Sequence, residues 1–375
     1  MLGFVSLFAD MTYEAARSIN GPYLALLGAS GTAVGIVAGL GELIGHGLRI
    51  LSGLVSDRTK RYWTITIIGY AVNLLAVPAL ALAGRWEAAA LLMMIERLGK
   101  AVRTPARDAM LSHATHAMGR GFGFGLHEMM DQIGAMAGPL LVTLVFAMRG
   151  SYRGAYAVLL GPAILALLVL AVGRRTYPHP SKLEKPSIEP AAAGFPRVFW
   201  LYLASIALVA AAFADFPLIA FHLKSKAVLA DRWIPLLYAF AMGVDAIAAL
   251  LFGRWFDRKG MLALMAAVAV SSLFALFTFS LRPWGVVFGM ALWGIGMGAQ
   301  ESIVRAAVAD FVPSGRRGTG YGIFNTGFGI AWFLGSAAMG ILYDRSLPAL
   351  IAFSIALHLL ALPLLLRVHA SRSRT

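Results

Sequence analysis

Residues 53–58 read Gly-Leu-Val-Ser-Asp-Arg, and residues 253–258 repeat the pattern as Gly-Arg-Trp-Phe-Asp-Arg. A second phrase keeps nearly the same offset: Arg-Gly-Phe-Gly-Phe-Gly at 120–125 returns as Arg-Gly-Thr-Gly-Tyr-Gly at 317–322. Two ordered repeats with similar offsets indicate that the chain is a tandem duplication, and a structural unit of one half should recur in the other.

The composition is typical of a polytopic membrane protein. Hydrophobic residues make up 59% of the chain and charged residues 13%, which lies outside the usual range of soluble domains. The formal net charge is +14, but the basic residues fall mainly in short connections between apolar segments. This pattern indicates membrane topology rather than a nucleic-acid partner. Because the chain has no cysteine, disulfides and thiolate metal sites are excluded.

A helix needs about 20 mostly apolar residues to cross the hydrocarbon core of a bilayer. Twelve such segments follow one another, six in each repeat. They are residues 2–27, 31–53, 62–83, 87–111, 121–147, 154–173, 198–222, 232–253, 261–281, 284–308, 319–342 and 349–366. They predict an all-α membrane protein with twelve transmembrane helices, arranged as two pseudo-symmetric six-helix bundles.

The connections predict the domain boundaries and the topology. Residues 1–175 form the predicted N-terminal bundle, 176–197 a proline-rich cytoplasmic linker and 198–375 the C-terminal bundle. Most Lys and Arg residues occur in alternate connections, beginning with residues 54–61. By the positive-inside rule these connections and both termini are cytoplasmic. We therefore expect a multi-pass protein of the inner or plasma membrane.

Ionisable side chains inside the apolar segments predict a polar cavity. A charge within a bilayer is costly, so each one should face a cavity or a partner. In the first half these side chains recur three or four residues apart, which places them on one face of each helix. The predicted cavity residues are Arg17, Glu42, His46, Arg49, Glu96, Lys100, Arg103, His127, Asp215, Asp245, Glu301 and Asn325.

The doubled motif and the six-plus-six plan resemble the major facilitator superfamily. In that family Gly-x-x-x-Asp-Arg, followed by basic residues, lies between helices two and three and again between helices eight and nine, as it does here. Arg97 matches an arginine of the family's fourth helix, and Gly134, Gly138 and Pro139 match an antiporter-associated motif of the fifth. The resemblance covers nearly the whole chain and implies a secondary transporter, not an enzyme.

The resemblance also implies alternating access, in which the two halves tilt around a site near the bilayer midplane. Asp57 is then expected near the N-terminus of the eleventh helix, where free backbone N–H groups attract an anion. This contact would close the cytoplasmic side. The predicted gating residues are Gly53, Asp57, Arg58, Arg61, Arg97, Asp108, Gly253, Asp257 and Arg258.

Proton coupling requires a carboxyl group whose protonation changes during the cycle, and a low-dielectric environment favours the neutral acid. The predicted coupling residues are Asp131, Glu14, Asp10 and Glu128. A permanent salt bridge is the competing interpretation for the intramembrane carboxylates. Examples are Glu14 with Arg17, Glu42 with Arg49 and Glu96 with Lys100.

The predicted function is proton-coupled export of a small organic or drug-like solute. Uptake of an organic anion with protons is the alternative, because Arg and Lys in the cavity match carboxylate or phosphate groups. Divalent-metal transport is a weaker alternative that rests on His46 and His127 near carboxylates. An enzyme or receptor is disfavoured, since no catalytic motif or signalling domain is recognisable. We expect a monomer that interacts with a small molecule, protons and the lipid bilayer, without nucleic acid, cofactor or bound metal.

Overall fold

The regular elements of the chain are all helices in the part that the computed structural model describes, which is residues 1–114, 120–148, 150–178, 194–312 and 317–372. The all-α prediction is confirmed. In the first half the helices are α1 (Leu2–Leu26), α2 (Gly31–Gly47), α3 (Arg49–Thr59), α4 (Tyr62–Ala79), α5 (Trp86–Ala114), α6 (Arg120–Ala147), α7 (Tyr152–Val158) and α8 (Leu160–Thr176).

The second half continues the same plan. Its helices are α9 (Arg197–Ala212), α10 (Phe216–Ser225), α11 (Trp233–Lys259), α12 (Met261–Ser271), α13 (Phe274–Thr278), α14 (Pro283–Ala299), α15 (Arg305–Phe311), α16 (Arg317–Arg345) and α17 (Leu347–Arg372). A 3₁₀ turn extends α4 over Leu80–Leu82, and a π-helical turn joins α14 to α15 over Gln300–Val304. Each of the twelve predicted segments coincides with one helix or with two consecutive helices.

Nine helical stretches in the described ranges are long and apolar enough to cross a membrane. The predicted segments 2–27, 87–111 and 284–308 are not among them. The first two contain three or more charged residues each, and the third is divided by the π-helical turn. The prediction of twelve crossings therefore stays a prediction.

The seventh predicted segment is broken rather than continuous. Residues 213–215 are not helical, and α10 restarts with Pro217 in its first turn, where a missing N–H group is harmless. The carbonyl oxygens freed by the break are bound by side chains: Trp293 Nε1 donates to Ala214 at 2.9 Å and Ser354 Oγ to Ala212 at 2.8 Å. The break is therefore a stabilised feature of the fold.

The repeated motif lies in helix, which corrects the prediction that residues 54–61 form a loop. Helix α3 continues through the first copy to Thr59, and only Lys60 and Arg61 separate it from α4. Helix α11 likewise continues through the second copy to Lys259, and Gly260 precedes α12. The chain reverses at Lys60 with φ 55° and at Gly260 with φ 58°. The two copies thus share one local structure, a helix end followed by a residue with positive φ.

The chain forms two compact units. The first comprises Met1–Ala29, Leu40–Ser187 and Ala230–Ala239, and the second Ser30–Gly39, Ile188–Leu229 and Phe240–Thr375. The predicted bundles 1–175 and 198–375 stay a prediction, because each unit includes a ten-residue segment from the other half of the sequence.

Candidate functional site

In the first unit, α1 and α6 approach each other closely because two glycines permit the contact. A Cβ atom at Gly134 would collide with the carbonyl oxygen of Leu7, and one at Gly138 with that of Met11. These glycines lie one turn apart on α6, and their partners lie one turn apart on α1. Small residues allow membrane helices to bring their backbones together in this way. The contact determines which polar side chains of the two helices meet.

Two aspartates meet beside these glycines, Asp10 on α1 and Asp131 on α6. Asp10 is 4% exposed, and a Cβ at Gly134 would lie 3.0 Å from its own Cβ. Asp131, Lys100 and Arg103 all act electrostatically on its carboxylate. Its Oδ1 atom is buried without a hydrogen-bond partner, and no ion pair joins the carboxylate to another described residue. The structure therefore brings two predicted coupling residues together and leaves the more buried one unpaired within the described ranges.

A chain of polar side chains connects Asp131 with α5. Nε2 of His127 lies 3.7 Å from a carboxylate oxygen of Asp131 and 3.3 Å from Oγ of Ser6. The Ser6 hydroxyl accepts a hydrogen bond of 3.4 Å from Nη1 of Arg107. Arg107 also donates to Asp108 through Nε at 2.9 Å and Nη2 at 2.8 Å. Asp108, a predicted gating residue, thus belongs to this network. The predicted coupling residue Glu128 is exposed on α6 and does not share the burial of Asp10.

A second group of charged side chains forms what we call the central charge cluster. Its members are Glu14 and Arg17 of α1, Glu42 of α2, and Glu96, Arg97 and Lys100 of α5. Three acids and three bases balance each other when all six are ionised. Charged residues in a membrane segment are stable when they pair in this way. All six were singled out from the sequence, although Arg97 was assigned to the gate.

Glu42 joins the three helices of the central charge cluster. Its Oε1 accepts a hydrogen bond of 3.1 Å from Nη2 of Arg17 and lies 3.4 Å from Nη2 of Arg97. Nδ1 of His46 lies 3.5 Å from its other oxygen. Glu42 is 7% exposed, so removal of its charge would leave two arginines facing each other in a poorly solvated site.

Glu96 anchors the cluster to α4. Its Oε2 lies 3.3 Å from Nε of Arg97, and its Oε1 accepts a hydrogen bond of 2.7 Å from Nδ2 of Asn73. Asn73 is fully buried and also donates to the backbone carbonyl of Glu96 at 3.0 Å. Arg97 is therefore oriented from both sides, by Glu96 and by Glu42.

Lys100 is held less tightly than the arginines. Its Nζ lies 4.0 Å from Oε1 of Glu14 and 4.0 Å from the centre of the Tyr13 ring. Asp10, one turn before Glu14 on α1, is another of its charged neighbours. The ammonium group can therefore reach two carboxylates on consecutive turns of one helix.

Arg103 is a buried cation next to the aspartates. It is 1% exposed, and its guanidinium group lies 4.2 Å from the centre of the Tyr70 ring and 5.6 Å from that of Tyr13. Its Nε and Nη1 atoms have no hydrogen-bond partner. Aromatic faces attract a cation but do not neutralise it. Arg103 is therefore available to bind an anionic group.

Tyr238, at the start of α11, is a site residue whose role the sequence did not show. It lies in the segment of α11 that belongs to the first unit, and its hydroxyl donates a hydrogen bond of 2.5 Å to Oε2 of Glu14. A tyrosine hydroxyl in an apolar helix usually needs a partner when it is buried, and that rule was the available signal.

We expect Tyr238→Phe to destabilise the first unit measurably. The change removes a hydrogen bond to a charged group, worth about 1.5–3 kcal/mol, and should lower the temperature of thermal unfolding by several degrees. Tyr177→Phe is the control, because Tyr177 is exposed. Equal unfolding temperatures for the two variants in detergent would show that the Glu14 contact contributes nothing.

In the second unit the predicted cavity residues lie in separate elements. Asp215 is 2% exposed at the break before α10, where Ser336 Oγ donates to its carboxylate at 2.6 Å. Asp245 of α11 is also buried, Asn325 of α16 is half-buried, and Glu301 is exposed on the π-helical turn. In the first unit Arg49 is half-buried on α3.

The predicted gating residues of the doubled motif occupy helix ends. Arg58 and Arg61 are exposed beside the first copy, and Asp257 and Arg258 are exposed at the end of α11. Gly53 and Gly253 are half-buried within α3 and α11. The side chain of Asp57 lies outside the described residues, so the latch at the cytoplasmic side stays a prediction.

A different carboxylate binds a helix N-terminus in the second unit. Asp344, near the end of α16, accepts hydrogen bonds from the backbone N–H groups of Gly31 at 3.0 Å and Thr32 at 2.7 Å, and from the Thr32 hydroxyl at 2.6 Å. It thereby caps the start of α2, where the orphan N–H groups and the helix dipole favour a negative charge. Close packing supports the cap: a Cβ at Gly35 would lie 2.7 Å from the Cα of Gly340.

We expect Asp344→Ala to weaken this cap by about 1 kcal/mol and to speed hydrogen exchange of the first amides of α2. The neighbouring Arg345→Ala variant is the control, since Arg345 is exposed in the same turn. Unchanged exchange at residues 31–34 in Asp344→Ala would show that the cap does not hold the helix start.

Metal binding finds no support in the described part of the chain. No group of three or more His, Asp or Glu side chains there has a geometry that could hold a metal ion. His46 belongs to the surroundings of Glu42, whereas His127 belongs to the Asp131 network.

The geometry of two helical units, the first with ion pairs between its helices, agrees with the family comparison. The family model of the Major Facilitator Superfamily matches residues 2–336 and, separately, residues 230–374. This chain belongs to the Major Facilitator Superfamily. Membership establishes a multi-pass membrane transporter rather than an enzyme.

Relatives of this superfamily member occur in bacteria and archaea. An uncharacterized protein of Mycobacterium tuberculosis is 43% identical over an alignment of 380 positions, which covers 99% of this chain and 93% of the relative. An uncharacterized MFS-type transporter of Methanocaldococcus jannaschii is 26% identical over 359 residues, covering 92% of this chain and 88% of the relative.

Solved structures confirm the fold of this superfamily member. The nucleoside transporter NupG has a TM-score of 0.73 at 14% identity, with 98% of this chain and 97% of that chain covered. The peptide transporter POT in complex with sulfate has a TM-score of 0.76 at 15% identity, with 100% and 94% covered. At these identities the likeness concerns the fold.

Proposed function

We propose that this protein is a proton-coupled secondary transporter that works by alternating access. The observation that carries the proposal is Asp10, a buried carboxylate with no ion pair or hydrogen bond among the described residues. A buried charge without a partner is costly, so we assign the binding and release of the coupled proton to this carboxyl group. A change of surroundings that brings a cation or water to Asp10 would release the proton.

Lys100 supplies such a change. It lies within reach of Glu14 and is a charged neighbour of Asp10. When Asp10 is protonated, the Lys100 ammonium pairs with Glu14; when Asp10 loses its proton, the new charge attracts Lys100. Because Tyr238 of α11 binds the same glutamate, movement of Lys100 alters a contact between α1 and α11. Protonation would thereby be linked to the movement of helices.

Asp131 is the second proton-binding group in the proposal. Its position beside His127 and Ser6 gives it polar neighbours that Asp10 lacks. Two nearby carboxylates rarely ionise together in a poorly solvated site. We therefore assign one shared proton to the Asp10–Asp131 pair rather than one proton to each residue.

A neutral or zwitterionic organic solute fits the first unit best. The central charge cluster balances three acids with three bases, so it offers dipoles and charges of both signs without a net charge. Export by proton antiport is supported by Gly134, Gly138 and Pro139, which match part of the antiporter-associated pattern of the family, although the glycine expected a few residues later is absent. We therefore propose outward transport, with both termini placed in the cytoplasm by the positive-inside rule.

Uptake of an organic anion with protons is the second candidate. Arg103 favours it, because this buried guanidinium group has unpaired Nε and Nη1 atoms that could bind a carboxylate. In that case the solute would compete with Asp10 for Arg103. The two candidates differ in the sign of the pH gradient that drives accumulation.

Transport by purified protein in proteoliposomes tests the proposal. The panel is labelled ethidium, uridine, dialanine and lactate, each measured with an imposed pH gradient of either sign and with none. Accumulation driven by protons moving the opposite way supports antiport, and accumulation driven by protons moving with the solute supports symport. Transport of a panel member to the same extent with and without the pH gradient would contradict proton coupling.

A further inference from the structure

A basic cavity of about 750 Å³ lies in the first unit, apart from the charged site described above. It is formed where α4 begins and α8 ends, and both helices belong to stretches able to cross a membrane. Its volume is within the range of small-molecule sites. Its lining residues are Lys60, Arg61, Tyr62, Trp63, Thr64, Ile67, Ala171, Arg174, Arg175 and Pro178. None of the described lining residues is acidic.

Four cations surround this cavity. Lys60 and Arg61 precede α4, whereas Arg174 and Arg175 occupy the last turn of α8. All four side chains are exposed, and none forms an ion pair with another described residue. Four neighbouring positive charges with no counter-charge among the described lining residues repel one another, so the cavity favours an anionic ligand.

The start of α4 adds backbone donors to the same cavity. The side chain of the N-cap residue Arg61 makes no capping hydrogen bond in this 18-residue helix, and the first intrahelical bond is donated by Ile65 to the Arg61 carbonyl. The N–H groups of Trp63 and Thr64 therefore precede the hydrogen-bonded ladder. Free N–H groups at a helix N-terminus bind phosphate and related anions.

The cavity walls are amphipathic. Trp63 Nε1 donates a hydrogen bond of 2.8 Å to the carbonyl oxygen of Tyr177, which joins the start of α4 to the end of α8. Ile67 and Ala171 line the side that continues along the apolar helices. Trp side chains are typical of the membrane interface. A ligand with a phosphate head and an acyl tail matches this division better than a free anion does.

Lys60 occupies a position whose backbone conformation favours glycine. Its φ of 55° lies in the left-handed region, and the repeat places Gly260 at the corresponding helix junction. Glycine adopts positive φ without steric cost. Replacement of Lys60 by glycine should therefore remove the charge while preserving the turn.

From these observations we propose that the cavity binds the phosphate group of an anionic membrane phospholipid. Lys60, Arg61, Arg174 and Arg175 neutralise the phosphate, the N-terminus of α4 donates hydrogen bonds to it, and the acyl chains follow Ile67 and Ala171 along α4 and α8. Basic pockets between membrane helices recognise lipid headgroups through the same chemistry. The site is distinct from the transport site and does not depend on the proposed coupling mechanism.

The test is native mass spectrometry of the purified full chain titrated with phosphatidylglycerol, with phosphatidylcholine as the zwitterionic lipid and inorganic phosphate as the free anion. We expect one phosphatidylglycerol to bind in preference to phosphatidylcholine. The Arg174→Gln/Arg175→Gln variant should weaken this binding by roughly thirtyfold, since each cation near a membrane surface contributes about a fivefold effect.

Two further variants make the result decisive. Lys60→Gly should weaken phosphatidylglycerol binding while thermal stability is maintained or increased, which excludes misfolding as the cause. Arg254→Gln/Lys259→Gln carries the same loss of charge at the end of α11 and should leave the binding unchanged. Equal affinity of the wild type and the Arg174→Gln/Arg175→Gln variant would overturn the proposal. If inorganic phosphate binds and abolishes phosphatidylglycerol binding entirely, the cavity is a free-anion site. That result would also overturn the proposal.

Discussion

Asp10→Asn should abolish solute accumulation driven by a pH gradient while exchange of labelled for unlabelled solute continues. Asparagine preserves the size of the side chain but cannot take up or release a proton. Asp10 is buried and unpaired among the described residues, so the substitution removes no ion pair, and the protein should fold normally. The variant should behave like a transporter fixed in the protonated form.

The measurement is accumulation and counterflow in proteoliposomes, with whichever solute of the panel the wild type transports. Glu87→Gln is the control, because Glu87 is exposed in the first turn of α5, and it should transport like the wild type. Asp131→Asn should impair accumulation less than Asp10→Asn, because His127 and Ser6 can stabilise a polar side chain at position 131. Full gradient-driven accumulation by Asp10→Asn would eliminate this residue as the coupling site.

Gly138→Leu should prevent the first unit from assembling. A side chain at this position meets the carbonyl oxygen of Met11 on α1, which cannot move without displacing the helix. Insertion of a large side chain into a packed contact costs about 3 kcal/mol or more when the neighbour is backbone. The same displacement would separate Asp10 from Asp131, so folding and coupling would fail together.

Gly161→Leu is the matched control. Gly161 also lies in an apolar helix, α8, but no atom lies within 4 Å of the position its Cβ would occupy. We expect Gly138→Leu to give little monodisperse protein in size-exclusion chromatography and Gly161→Leu to elute like the wild type. Similar elution of both variants would show that the first unit still assembles when α1 and α6 are pushed apart.

Much of the fold follows from the sequence because its signals are local or repeated. Apolar segments of membrane length coincide with the helices, and the doubled motif marks the same helix end in each half. The breaks were not predictable in this way. The interruption at residues 213–215 depends on Trp293 and Ser354, and these side chains are distant in the sequence.

The sequence singled out the charged residues that form the central charge cluster, but it did not show how they pair. Helical spacing identified the charged faces of α1, α2 and α5, and each face contributes to the central charge cluster. Spacing within one helix cannot show that Glu42 binds Arg17 and Arg97 from two other helices. Arg97 was assigned to the gate through the resemblance to the family's fourth helix, which does not show its contact with Glu42 either.

Asp344 shows a second limit of the sequence. The prediction of a carboxylate at a helix N-terminus was directed to Asp57 and the eleventh helix, following the family motif. The contact found among the described residues joins Asp344 to the start of α2. The sequence signal for this contact was the spacing of Gly31, Gly35 and Gly39, which permits close packing on α16. Glycine spacing alone does not identify the helix that packs there.

The most direct test of proton coupling is the internal pH of pyranine-loaded proteoliposomes after addition of ethidium, uridine, dialanine or lactate. The proposal predicts that a transported solute causes proton movement in wild-type vesicles and in the Glu87→Gln control, and none in Asp10→Asn vesicles. Solute transport by the wild type without any change of internal pH would contradict the central claim.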